Sequence, residues 1–190
     1  LTMVLMVDVS GSEFFGTVSR FKRVVLTEIS ATLAFSALQN NDKVGLILFS
    51  DEVELFIPPK KGKSHVLRII RELLEFEPRS HRTDLSGALK FLSNVLKKKS
   101  IVFVLSDFMT DDYEHNLRIT GKKHDLTGIR VYDPMEEELP QLGVVSMQDA
   151  ETGQVRWINT TSRKVREAYG RHYGEQVAYF RDTFTRAGCG

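Results

Sequence analysis

Asp8, Ser10 and Ser12 follow the apolar run Leu5-Met6-Val7 as Asp-x-Ser-x-Ser, which throws three short oxygen-bearing side chains into one tight loop. Two further stretches carry the same chemistry. Thr83 lies in Arg82-Thr83-Asp84-Leu85, ahead of an amphipathic segment, and Asp107 lies in Ser106-Asp107-Phe108, directly after a second apolar run at 101–105. Carboxylate and hydroxyl oxygens, without nitrogen or sulfur, are the ligands that a hard cation such as Mg²⁺ takes. Each piece alone also suits a plainer use. Ser10 or Ser12 fits a helix cap, Thr83-Asp84 fits the N-cap of the helix that follows, and Ser106-Asp107 fits an ordinary turn. Their coincidence is what points to a cation site.

The elements that would position these residues alternate along the chain. Residues 2–7 form a continuous apolar run, as expected of a strand covered on both faces. A helix is predicted over 21–38, then a strand over 43–49 and another over 53–57, joined by Ser50-Asp51-Glu52 as an antiparallel hairpin and ended by Pro58-Pro59. Val66, Ile69, Ile70, Leu73 and Leu74 recur at helical spacing, and Leu85, Ala88, Leu89, Leu92 and Leu96 mark a third helix. A strand at 101–105, a polar helix at 111–123 and a strand at 128–132 come next. An acidic loop (134–142) leads to a second hairpin, 144–147 with 155–158, and a last helix runs from about 162 to 184. Alternation of this kind predicts an α/β, doubly wound, mostly parallel central sheet with one antiparallel edge strand and helices on both faces.

In such a sheet, ligands bind beyond the C-terminal strand ends where the strand order reverses. With an order of 3-2-1-4-5, the strands ending at Asp8 and at Asp107 are neighbours at that point. Ser10 and Ser12 come from the loop of the first, and Thr83 from the loop before the third helix. All five can then converge.

These stretches resemble the metal-ion-dependent adhesion site (MIDAS) of von Willebrand factor A domains. The similarity extends to Asn41-Asp42-Lys43-Val44-Gly45-Leu46-Ile47-Leu48-Phe49, which looks like the second strand of such domains, and to Thr83-Asp84-Leu85-Ser86-Gly87-Ala88-Leu89, which looks like their threonine loop and helix. It covers most of residues 2–133. Ser106-Asp107-Phe108 stands where adhesion receptors have Asp-Gly, and is more similar to a bacterial group, the domain-of-unknown-function family fifty-eight, usually associated with MoxR-type AAA+ ATPases. The resemblance implies that Asp8, Ser10 and Ser12 hold Mg²⁺ (or Mn²⁺), directly or through water and weakly. Thr83 and Asp107 would exchange direct for water-mediated contact, and a sixth position is left for a partner's Asp or Glu. It implies a protein-interaction module rather than an enzyme, with a MoxR-type ATPase or its client as partner, and a single domain over 1–190 forming the C-terminal part of a longer protein.

Composition narrows the alternatives. Lys and Arg number 26 against 25 Asp and Glu, so the net charge of +1 gives no bulk affinity for nucleic acid or membranes. One cysteine, Cys189, forms no disulfide framework and fits a cytoplasmic setting, and no apolar run approaches the roughly 20 residues that span a bilayer. The five histidines are scattered without metal-ligand spacing, and His81 reads as a solvated loop residue. The enzyme alternative is a Mg²⁺-dependent phosphohydrolase of haloacid-dehalogenase type using Asp8. Its signature needs a second Asp two positions on, where this chain has Ser10. Trp157 and the tyrosines of the last helix read as core and sheet cover.

Overall fold

The computed structural model describes residues 1–10, 16–132, 137–148 and 155–190. Strand β1 (Thr2–Asp8) is buried at every position after Thr2, and β2 (Lys43–Phe49) at every position after Lys43. Such strands lie inside a sheet covered on both faces. Both pair in parallel, and β1 pairs on its other side with β4 (Ile101–Ser106), which in turn takes β5 (Asp125–Arg130). The antiparallel β3 (Val53–Lys60) closes the far edge, so the order is β3-β2-β1-β4-β5. The expected doubly wound sheet, with its one antiparallel strand, is thus the observed one.

Alternate side chains of each strand feed separate cores. Met3, Leu5, Val7, Leu46 and Leu48 face α1 (Gly16–Gln39) and α2 (Lys63–Glu75). Val4, Met6, Ile47, Phe49 and Val104 face the other side, under α3 (Leu85–Val95), α4 (Glu114–Lys123) and α5 (Arg163–Ala187). The helices sit where their apolar stripes dictate. Val66, Ile69 and Leu73 of α2 are buried, as are Leu85, Ala88, Leu89 and Leu92 of α3. Leu74, expected on the same stripe, is instead 62% exposed, while its neighbour Leu73 is buried.

Several boundaries depart from the sequence reading. Pro58-Pro59 does not end β3, which continues to Lys60. The pairing slips between Val44 and Leu46, so the prolines fall in a bulge on an edge strand and need no ladder N–H. Gly45 makes this possible, since a Cβ there would stand 2.9 Å from Pro59 Cγ. The fifth strand begins at Asp125 rather than Gly128, drawn back along β4 by the pairs Ile101 with Asp125 and Val102 with Leu126. Helix α1 starts earlier than expected, at Gly16, and α4 later, at Glu114. The second hairpin, β6 (Val144–Gln148) with β7 (Val155–Asn159), forms a separate two-stranded sheet, while its expected turn at 149–153 lies outside the described residues. Trp157 is therefore 75% exposed on that ribbon and does not cover the main sheet. Of the tyrosines of α5, Tyr179 joins the core under α3, α4 and α5, packing edge-on against Tyr113 at 5.0 Å between ring centroids.

Candidate metal centre

Parallel register brings the two carboxylate segments together. Val7 pairs with Leu105, which carries Asp8 alongside Ser106 at the C-terminal ends of β1 and β4. The Ser106 hydroxyl donates to Asp8 Oδ2 at 2.6 Å and accepts from the Phe108 N–H at 3.0 Å. The other carboxylate oxygen, Oδ1, accepts the Ser10 N–H at 2.9 Å and the Ser10 hydroxyl at 2.5 Å. Ser10 Oγ lies 2.5 Å from Thr83 Oγ1, and since the Ser10 proton points at Asp8, the Thr83 hydroxyl is the donor between them. Asp8, Ser10 and Thr83 thus form one continuous chain of oxygens from two distant loops.

The Thr83 loop is tied down on both sides. The Asp84 N–H donates to the Ser50 carbonyl at 2.8 Å, and the Thr110 hydroxyl reaches the Thr83 carbonyl at 3.5 Å. Asp84 itself caps α3, its Oδ1 accepting from the Gly87 N–H at 2.8 Å, so the capping use read from the sequence is its use in the fold.

Asp107 enters differently. Its Oδ1 accepts the Met109 N–H at 3.0 Å, and its Oδ2 lies 3.1 Å from Lys22 Nζ of α1. The loop that holds it is pinned by Phe108, which has φ 57°, the left-handed conformation that glycine takes freely. The ring offsets that strain by burial, stacking on Phe180 at 4.2 Å and meeting Phe184 edge-on at 5.3 Å. A phenylalanine therefore does here, by packing against α5, what glycine does by conformational freedom.

Asp8 is only 6% exposed. Its pKa is pushed up to about 7, first by burial and next by the negative charge of Asp107, against the opposing pull of the Ser10 and Ser106 hydrogen bonds. A buried carboxylate whose proton affinity is raised partly by the charge of a second one, surrounded by hydroxyl oxygens, has the electrostatics that suit a cation. Asp8, Ser10, Ser106 and Asp107 all border one cavity of about 320 Å³. Among the described residues no group of three or more His, Cys, Asp and Glu side chains is placed to hold a metal. The donor set here has two carboxylates and completes itself with hydroxyls, as oxygen-loving Mg²⁺ permits.

Of the five residues singled out from the sequence, the structure brings Asp8, Ser10 and Thr83 into direct contact and Asp107 to the same cavity. Ser12 lies outside the described residues, and His81 is exposed. Ser106 and Lys22 were missed. Ser106 could have been suspected from its place at the strand end beside Asp107, but nothing in the local sequence distinguishes Lys22 from the other basic residues.

The sheet order and the helices on both faces define the fold class: a von Willebrand factor A-like, doubly wound α/β domain. An aerotolerance-related membrane protein from Bacteroides fragilis superposes with a TM-score of 0.60, at 15% identity, over 93% of this chain and 87% of that one. BatB from Bacteroides thetaiotaomicron gives 0.57, also at 15% identity, over 99% and 98%. Proximal thread matrix protein 1 from the mussel byssus, solved with a zinc-occupied MIDAS motif, gives 0.53 at 17% identity over 69% of this chain and 38% of its own. The chain belongs to the family described as protein of unknown function DUF58, whose model matches residues 1–179. Uncharacterised proteins of Mycobacterium bovis and Mycobacterium tuberculosis are 29% identical to it over 155 residues, 80% of this chain and 49% of theirs. The chain spans about half the length of these curated relatives. No helix among the described residues is long and apolar enough to cross a membrane.

Proposed function

We propose that the domain is a divalent-cation-dependent protein-interaction module that binds a partner's carboxylate at the Asp8 cluster. The observation that carries this reading is the linked set of Asp8, Ser10 and Thr83 oxygens beside a second carboxylate that raises the pKa of the first. Mg²⁺ (or Mn²⁺) would be held by Asp8, Ser10 and Thr83, with Ser12 from the same loop and Asp107 facing it. Bound there, the ion supplies an electrophilic position open to an acidic side chain. This chain's residues do the rest. Ser106 and the Ser10 N–H orient Asp8, and the Phe108 anchor fixes where Asp107 stands. With few protein ligands and an open side, binding of the ion alone is weak.

One support lies outside the site: the fold neighbours include a protein whose MIDAS motif holds zinc. The acidic partner in this reading is a MoxR-type AAA+ ATPase or its client, as the resemblance of the sequence implies. In that setting the domain acts as the ATPase's adaptor, by binding rather than by catalysis. Calorimetric titration of Mg²⁺ into wild type and Asp8→Ala tests the site. Heat of binding in the wild type that vanishes in the variant is expected, and equal behaviour of the two would end the metal reading. For the partner, the complex should need both the ion and an acidic side chain. Unchanged affinity after chelation would place the contact elsewhere on the surface.

A further inference from the structure

The ammonium of Lys22 lies within the site, beside Asp107. The residue is 8% exposed, sits on the first described turns of α1, and borders the same cavity as Asp8, Ser10 and Asp107. Its Nζ is 3.1 Å from Asp107 Oδ2, while Oδ1 of the same carboxylate is engaged by the Met109 N–H. A buried lysine is costly to desolvate and persists only where an anion compensates it. One anion beside it is Asp107, a carboxylate that the cluster would offer to a metal.

Resting on the cation-site reading above, we propose that Lys22 is a tethered competitor for the divalent ion: its ammonium neutralises and positions Asp107 in the metal-free protein, and the ion must displace it from Asp107. The electrostatics set the direction. An ion coordinated beside Asp107, even through a water, comes within about 7 Å of an ammonium 3.1 Å from the same carboxylate. A dication and a monocation at that distance repel appreciably even at the dielectric constant of water, and more strongly in a partly buried cluster. The competitor therefore makes binding of the ion alone weak. It also offsets part of the Asp107 charge when no metal is bound. A partner that contributes its own carboxylate adds the negative charge needed to shift the balance, so the ion and the partner bind cooperatively.

Lys22→Met keeps the length of the stem and removes the charge, whereas Lys22→Arg keeps the charge. Mg²⁺ titrated calorimetrically into Lys22→Met should bind about tenfold more tightly than into wild type, a difference of about 1.4 kcal/mol. Lys22→Arg should stay near wild type. Thermal melts carry the signature that a merely structural lysine lacks: Lys22→Met should melt lower than wild type in chelator, and its Mg²⁺-induced rise in Tm should be larger. A measurement on the unaltered protein guards against a variant that does not fold. Pulse acetylation read by mass spectrometry should modify Lys22 faster when Mg²⁺ is added, as the ammonium leaves Asp107. Wild type and Lys22→Met binding Mg²⁺ equally, or Lys22→Arg matching Lys22→Met, overturns the competitor while leaving the metal site standing, as does acetylation of Lys22 that Mg²⁺ leaves unchanged or slows. Absence of Mg²⁺ binding in both wild type and Lys22→Met overturns the site and the competitor together.

Discussion

Replacing Asp8 by Asn should make the metal-free protein more stable at alkaline pH, although it removes the central residue of the site. Burial and the Asp107 charge raise the Asp8 pKa from 3.8 to about 7 in the folded chain. The folded state therefore binds that proton more tightly than the unfolded state does. The contribution of Asp8 to stability is greatest below about pH 4, declines as the pH climbs towards about 7, and is flat above that. A shift of about three pKa units at ~1.4 kcal/mol each amounts to about 4 kcal/mol by pH 8. Asn keeps the shape and loses the charge, but its amide turns a donor where the Ser106 hydroxyl now donates, which costs about 1 kcal/mol. A net gain of about 3 kcal/mol remains, on the order of 6–12 °C in Tm for a chain of this size. Melts of wild type and Asp8→Asn in chelator, from pH 4 to pH 8, read this directly. The variant should melt higher at pH 8, with the gap closing towards pH 4. Added Mg²⁺ at pH 8 should raise the Tm of the wild type alone. Equal melting at pH 8, or a gap that does not change with pH, would refute the reasoning, because the charge on Asp8 would then not be what strains the fold.

Thr83→Ala removes the hydroxyl that donates to Ser10 but none of the backbone bonds that hold its loop, so it should lower Tm by no more than a few degrees while weakening partner binding more than Mg²⁺ binding; calorimetry with each separates the two. Gly128→Ala should destabilise the domain by about 1–3 kcal/mol in urea, since the new Cβ would lie 2.5 Å from Phe184 Cε1 and 3.0 Å from Phe180 Cε2, rings that have little room to move under β5. The purified domain should release no phosphate from an aryl phosphate with Mg²⁺ present; turnover abolished by Asp8→Asn would instead favour the phosphohydrolase reading.

What the sequence by itself determined lies in features that are local. Unbroken apolar runs at 2–7 and 101–105 state that two strands are buried on both faces, because burial on one face alone would leave a polar residue at every second position. The 3.6-residue stripes of α2 and α3 state which faces pack, and Thr83-Asp84 ahead of Leu85 states where α3 begins, since the cap is made within three residues. From these, the alternation of elements and the loops bearing Asp8, Ser10, Thr83 and Asp107 were legible, while the sheet order could only be supposed until the strand pairing fixed it. Only the tertiary structure decided matters that depend on residues far apart in the chain. The start of β5 at Asp125 is set by its pairing with β4, the passage of β3 through Pro58-Pro59 by the space that Gly45 leaves, and the exposure of Trp157 by a ribbon that stays off the main sheet. Within the site, Ser106 became the orienting group for Asp8 through the register of β1 on β4. Lys22 entered through a contact spanning 85 positions, which no local pattern encodes. Periodicity records how much each residue is buried, but the identity of its partner is fixed only when the chain closes on itself.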